Sequence, residues 1–144
     1  ELGNNARLGK LLGMVEQGRF GEQNIACMGI LELPQTLAQF AQQVGHGLQR
    51  TPQVIGDGGR SISKVAWCSG GAQGYFEAAI AQGVDAYLTG EISEQSFHLA
   101  NETGVAFIAA GHHATERFGI QALGEHLAKQ FGLEHRFFDQ DNPV

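Results

Sequence analysis

Apolar and polar positions along the chain change rhythm at about residue 64. Before it, helix-spaced and strand-like runs are interspersed with turns. "NNARLGKLLGM" predicts a short helix capped by Asn4 or Asn5, with Leu8, Leu11 and Leu12 on one face. "NIACMGILE" predicts a strand. "TLAQFAQQVG" predicts a helix with Leu37, Phe40, Ala41 and Val44 at helical spacing and Gly45 as its stop. "TPQVIG" reads as a short strand and "DGG" at 57–59 as a turn.

From Lys64 onward strands and helices alternate. "KVAWCSGG", "DAYLTG" and "VAFIAAG" predict strands; "GYFEAAIAQG", "SEQSFHLANETG" with Ser93 as its cap, and "ATERFGIQALGEHLAKQFG" predict helices. In the last of these Ile120, Leu123, Leu127 and Phe131 share a stripe, and "LEHRFFD" predicts a final strand. Short apolar runs alternating with helices imply βαβ units and an α/β fold with a largely parallel or mixed sheet. We expect residues 1–63 to form the end of a first lobe with a connecting region, and 64–144 an α/β region.

This alternation also locates chemistry. Ligands of open α/β sheets bind beyond the carboxyl ends of the strands. Three successive predicted strands end in "CSGG", "LTGE" and "AAGHH". Parallel pairing would gather Ser69, Gly70, Thr89, Glu91, His112 and His113 at one edge.

Composition narrows the field. Of the net charge of −6, residues 1–60 contribute nothing, with five acids against five bases; residues 61–144 hold ten acids against four bases. A nucleic-acid groove needs the opposite sign, so nucleic acid is not an expected partner. The longest apolar run, Val105 to Ala110, is too short to span a membrane as a helix. Cys27 and Cys68 form neither a CxxC pair nor a zinc spacing, which fits a reducing cytosol and a cytoplasmic location. The chain opens "ELGNNARLGKLLG" without a methionine, as though cut from a longer protein.

His112 and Glu116 stand at i, i+4. That spacing places both on one helix face with Cβ atoms roughly 6 Å apart, a gap that one metal ion can bridge. The same residues also suit a plain helix start, with Thr115 or a neighbour as cap and Glu116 complementing the dipole. Spacing alone leaves both readings open, and two donors do not complete a metal site. Glu91, Glu94 and His98 can share a helix face, and "SGGAQG" at 69–74 is a glycine-rich turn of the kind that cradles phosphate, without a P-loop ending. His113 points away from any site that His112 enters, in a structural or substrate-contacting role. His46, His126 and His135 are isolated.

Taken together, "VAWCSGGAQ", "GVDAYLTGEISEQSFH" and "AAGHHATERFGI" resemble the YbgI-type branch of the Nif-three-like family, whose members are named GTP cyclohydrolase I type 2 homologues. The resemblance covers nearly the whole chain and is strongest from Val65 to Ile120. It implies a two-lobed fold, a dinuclear centre of divalent metal ions (zinc, iron or manganese), and homo-oligomers, with a hexameric ring expected. "GHHATE" matches the late ligand motif, so the resemblance makes His112 and Glu116 metal ligands, Glu116 bridging. The early His-His pair and aspartate of the family are absent here, so the resemblance implies that the chain is a C-terminal portion. The function implied is metal-dependent hydrolysis of a nucleotide-like or small phosphorylated substrate, the alternative being an oligomeric metal-binding scaffold or regulatory protein. Glu91 and His98 are the candidate proton shuttles; Ser69, Gly70, Glu94 and His113 are the candidate substrate contacts.

Overall fold

A computed structural model describes residues 1–144. Its elements run α1 (Asn4–Leu11), β1 (Met14–Phe20), β2 (Ala26–Thr36), α2 (Leu37–Leu48), β3 (Gln53–Ile55), β4 (Ser61–Trp67), α3 (Phe76–Ala81), β5 (Ala86–Thr89), α4 (Glu94–Thr103), β6 (Ala106–Ala109) and α5 (His112–Phe131), with short 3-10 turns at Glu22–Asn24 and Gln73–Tyr75. The strands form one six-stranded mixed sheet in the order β1-β2-β4-β5-β6-β3. Its centre is the expected parallel trio: β4 pairs with β5 and β5 with β6 in parallel, while β1, β2 and β3 join antiparallel.

The paired stretches of the trio, Val65–Trp67, Ala86–Leu88 and Ala106–Ile108, are hydrophobic and buried because both of their faces are covered. Val65, Trp67, Leu88 and Ile108 point to one side, into a core with Leu8 and Leu12 of α1 and Leu37, Phe40, Val44 and Leu48 of α2. Ala66, Tyr87 and Phe107 point to the other, against Phe76 and Ala79 of α3 and Ala100 of α4. There Phe76 stacks on Tyr87 and meets Phe107 edge-on at 4.8 Å between ring centroids. No helix is long and apolar enough to cross a membrane.

Local signals worked where a helix end is made by its own side chains. Ser93 caps α4 and Thr36 caps α2, each in a reciprocal capping box. Three expectations need correction. Gly45 does not stop α2, which continues to Leu48 and ends on Gln49 in the left-handed region, because Val44 and Leu48 are both core residues. Neither Asn4 nor Asn5 caps α1; Gly3 is the cap, and both asparagines are drawn into tertiary bonds. "LEHRFFD" forms no strand: residues 133–139 pair with no strand of the sheet, and Asp139 instead meets His113 of α5. The expected stripe of Ile120, Leu123, Leu127 and Phe131 lies on the exposed side of α5, these residues being 57%, 41%, 40% and 67% exposed, while Ala114, Thr115 and Ala122 are buried. The strand β1 had no expectation at all, since "MVEQGRF" is polar at most of its positions and lies at the sheet edge.

Candidate functional site

The parallel trio delivers its three carboxyl ends to one place. Gly70 follows β4, Glu91 follows β5 and His112 opens α5 after β6. Backbone bonds lash the three loops together: the Gly90 N–H donates to Gly70 O at 2.9 Å and the Gly111 N–H to Gly90 O at 2.9 Å. Two buried threonines finish the job. Thr89 Oγ1 donates to Gly70 O at 3.1 Å, and Thr115 Oγ1 accepts from the Gly70 N–H at 2.9 Å. Neither was singled out as a binder of its neighbours, although a hydroxyl on a fully apolar strand or helix face must find partners when buried.

The approach is close enough to require glycine. Gly70 has φ +71, and a Cβ there would run into Glu116 Oε1 and lie 3.1 Å from His112 Nε2. A Cβ on Gly90 would lie 2.7 Å from both Gly70 O and His112 Cα.

His112 is held between two carboxylates. Its Nδ1 lies 2.6 Å from Glu91 Oε1, and its Nε2 lies 3.1 Å from Glu116 Oε2. Glu91 is held in turn by Gln73, whose Nε2 donates to Oε2 at 3.2 Å. The hydrogen bond to Glu91, and secondarily the charge of both carboxylates, raises the His112 pKa above the ordinary histidine value. The hydrogen bond from His112 lowers that of Glu91. All three side chains remain about two-fifths exposed, so they face solvent rather than the core.

The plain helix start expected Thr115 or a neighbour as the cap of α5, and that cap is not formed. No side chain caps α5, and the Thr115 hydroxyl donates to Gly111 O or His112 O instead of accepting from the helix. The metal reading can be tested on geometry. A cation bonded at about 2.1 Å to an imidazole nitrogen and a carboxylate oxygen at near-right to tetrahedral angles holds them about 3.0–3.4 Å apart. The 3.1 Å between Nε2 and Oε2 falls within that span, which it shares with a direct hydrogen bond between the two side chains. No group of three His, Cys, Asp or Glu side chains is arranged to hold a metal ion. The pair therefore fits two positions of a coordination shell, not a whole one.

The other candidates are distributed differently. His98 faces solvent with Glu94, 3.9 Å away, as its ion-pair partner, and Glu94 is 93% exposed, so neither joins His112. His113 turns to the C-terminal segment, with Nε2 3.0 Å from Asp139 and its backbone N–H donating to Val144 O. Asp139 also pairs with Arg117 at 2.6 Å. The "SGGAQG" turn directs the N–H groups of Ser69, Gly70 and Ala72 to protein acceptors: Asn5, Thr115, and Gly70 with Thr89. Ser69 instead lines a cleft of about 500 Å³ with Glu116, Asn4 and Asn5, and a second cleft of about 440 Å³ runs past His112, Glu116, Phe137 and Phe138. Asn5 is the residue missed: its side chain ties α1 to both Ser69 and Ile25, and no local signal could reveal bonds 64 and 20 residues long in sequence.

This assembly of strand ends on a late histidine-glutamate pair has relatives. Residues 1–143 match the family described as Duf34/NIF3 (NGG1p interacting factor 3). The chain belongs to that family. The "GTP cyclohydrolase 1 type 2 homolog" of Neisseria meningitidis is 58% identical over 143 residues, covering 99% of this chain and 57% of the relative. The protein of the same description from Pseudomonas aeruginosa is 52% identical over 147 residues, covering 100% of the chain and 58% of the relative. A solved structure described as "protein ybgI, unknown function" superimposes with a TM-score of 0.95 at 44% identity, over 100% of this chain and 58% of that one. The chain thus spans rather more than half the length of these Duf34/NIF3 proteins, and the YbgI-type resemblance read from its motifs is borne out.

Proposed function

We propose that this chain supplies the late half of a dinuclear metal centre, and that the complete centre serves a hydrolase acting on a nucleotide-like or small phosphorylated substrate. The observation that carries the reading is the 3.1 Å approach of His112 Nε2 to Glu116 Oε2 at the meeting point of three parallel strand ends. Relatives named GTP cyclohydrolase 1 type 2 homolog support the reaction class and the nucleotide-like substrate. Bound divalent cations, in the complete centre two, would lower the pKa of water enough to make a nucleophile at neutral pH. The chain's own residues have simpler tasks. His112 presents a nitrogen lone pair, Glu116 presents a carboxylate from the next helical turn, and Gly70 and Gly90 keep the space between them clear. The clefts on either side of the pair give a substrate two approaches, one past Ser69 and Asn5, the other past Phe137 and Phe138.

The test is metal analysis of the protein expressed at the length of its relatives. His112→Ala and Glu116→Ala should each strip most of the metal and leave the fold intact, whereas His126→Ala, on the polar side of α5, should change nothing. Full metal content in both site variants rejects the reading. A second reading, a metal-binding oligomeric scaffold without turnover, draws on the exposed stripe of α5, an apolar face suited to a neighbour. Hydrolysis of a nucleoside triphosphate or small phosphoester by the metal-loaded protein, lost with Glu116→Ala, separates the enzyme from the scaffold.

A further inference from the structure

Glu91 sits within hydrogen-bonding reach of the metal-type pair yet is directed at neither its free nitrogen nor its carboxylate. Its Oε1 takes the Nδ1 side of the His112 ring at 2.6 Å, while Glu116 takes the Nε2 side at 3.1 Å. The two ring nitrogens point in divergent directions, so the carboxylates cannot share one cation through the same imidazole nitrogen. The other Glu91 oxygen receives Gln73 Nε2 at 3.2 Å. Gly71 closes in behind, where a Cβ would lie 3.2 Å from Oε1. Both oxygens are thus engaged, and the loop after β5 is fastened to its neighbours by the Gly90 and Gly111 backbone bonds. That is the construction of a group that holds another in place, and it contrasts with Glu116, whose only side-chain partner is the imidazole it shares a helix face with.

We propose that Glu91 is a positioning residue: it fixes the Nδ1–H tautomer and the ring orientation of His112, so that the Nε2 lone pair is directed to a cation shared with Glu116. The inference rests on the metal reading above for the identity of the cation. An ionised carboxylate accepts but does not donate, so each contact favours a proton on its own ring nitrogen; the shorter one, 2.6 Å to Glu91 against 3.1 Å to Glu116, is the stronger hold, and a neutral ring keeps its single proton on Nδ1. The remaining nitrogen then binds metal in its neutral form, and a proton on Nε2 and a cation between Nε2 and Glu116 exclude one another. Histidine ligands are commonly held by a carboxylate on the far nitrogen, and losing that partner costs about 10–100-fold in metal affinity. Gln73 and Gly71 extend the support one layer further, which assigns part of the "SGGAQG" turn to holding Glu91 rather than to cradling phosphate.

The decisive measurement separates the tautomer from the metal. Long-range proton–nitrogen correlation spectra of the metal-free protein, at alkaline pH where His112 is neutral, should show a protonated Nδ1 and a pyridine-type Nε2. Glu91→Ala should abolish that pattern in favour of a protonated Nε2, with backbone amide shifts outside the loop unchanged. Glu91→Gln, which keeps an acceptor for Nδ1–H, should retain the tautomer. Zinc titration of the protein at the length of its relatives should then show a loss of about 10–100-fold for Glu91→Ala and a smaller one for Glu91→Gln. A wild-type His112 protonated on Nε2, or a Glu91→Ala variant with unaltered tautomer and zinc affinity, overturns the proposal. If the tautomer behaves as stated but His112→Ala binds zinc as wild type does, the metal reading itself is overturned, and Glu91 orients an imidazole with some other task.

Discussion

Replacing Gly70 with alanine tests whether the strand-end loops are built around the His112–Glu116 pair. Two costs can be worked out. Gly70 has φ +71, and an L-residue held in the left-handed region loses about 1–2 kcal/mol relative to glycine. The added Cβ also meets Glu116, with Cδ 2.8 Å away, and His112 Nε2 at 3.1 Å. Those atoms are the tips of side chains about two-fifths exposed, so Glu116 can swing into solvent at little expense. The stability loss should therefore stay near about 1–2 kcal/mol, a fall in Tm of about 2–8 °C for a domain of this size. The functional loss should be far larger, because Glu116 can no longer face Nε2. Urea unfolding followed by the fluorescence of the single tryptophan, buried Trp67, gives the first quantity. Metal analysis of the protein at the length of its relatives gives the second, and it should match Glu116→Ala. Gly90→Ala is the contrast: its Cβ would strike backbone atoms of Gly70 and His112 at 2.7 Å, which cannot rotate away, and it should destabilise more than Gly70→Ala. A Gly70→Ala protein with wild-type metal content would refute the crowding argument, and so would one less stable than Gly90→Ala.

Thr115→Val should cost about 1–3 kcal/mol, because the buried Gly70 N–H loses its acceptor and nothing replaces it, while Thr115→Ser should keep most of the stability; urea midpoints of the two variants decide. The Glu91–His112 pair should also leave a pH signature. Glu91 has a lowered pKa, so its contribution is complete above the ordinary glutamate value of 4.5 and fades as pH falls below it; His112 has a raised pKa, so its contribution is complete below the ordinary 6.5 and fades as pH rises past it. The stability difference between wild type and Glu91→Gln should therefore peak between those two values and shrink on either side, and a difference that is flat with pH would contradict the pairing. Finally, the chain as it stands offers one histidine–glutamate pair and no third donor, so calorimetric titration with zinc should show weak binding by these 144 residues and tight binding at the relatives' length. Tight uptake of two ions by the chain alone would mean that other residues complete the centre.

What the sequence determined by itself lies in short-range patterns. The runs Val65–Trp67 in β4, Ala86–Leu88 in β5 and Ala106–Ala109 in β6 are hydrophobic without a break, the mark of strands buried on both faces, and the alternating helices point to parallel pairing. Parallel strands of similar length bring "CSGG", "LTGE" and "AAGHH" to one edge, so the meeting of these three loops was legible in the sequence. So were Ser93 as a cap and the shared helix face of His112 and Glu116, since both depend on residues within four positions. Other features needed the tertiary structure. Glu91, Glu94 and His98 had equal standing as helix-spaced neighbours, yet only Glu91 reaches His112, across 21 residues, because it sits on the strand end beside β6 and the other two turn outward on α4. Asn5 looked like a helix cap and became a brace for Ser69. The alternating "LEHRFFD" has the character of a strand, but a strand exists only by hydrogen bonding to a neighbour, and this segment instead lies against the first turns of α5, where Asp139 meets His113 and Arg117. The stripe on α5 has helical spacing whichever way it faces; the bonds that join its first turn to Gly70 and Asp139 set the rotation of the helix and leave that stripe in solvent. Periodicity and capping are local energies and can be read along one segment. Pairing, rotation and the choice among helix-spaced polar side chains depend on which distant segment packs at the same place, and no single segment carries that information.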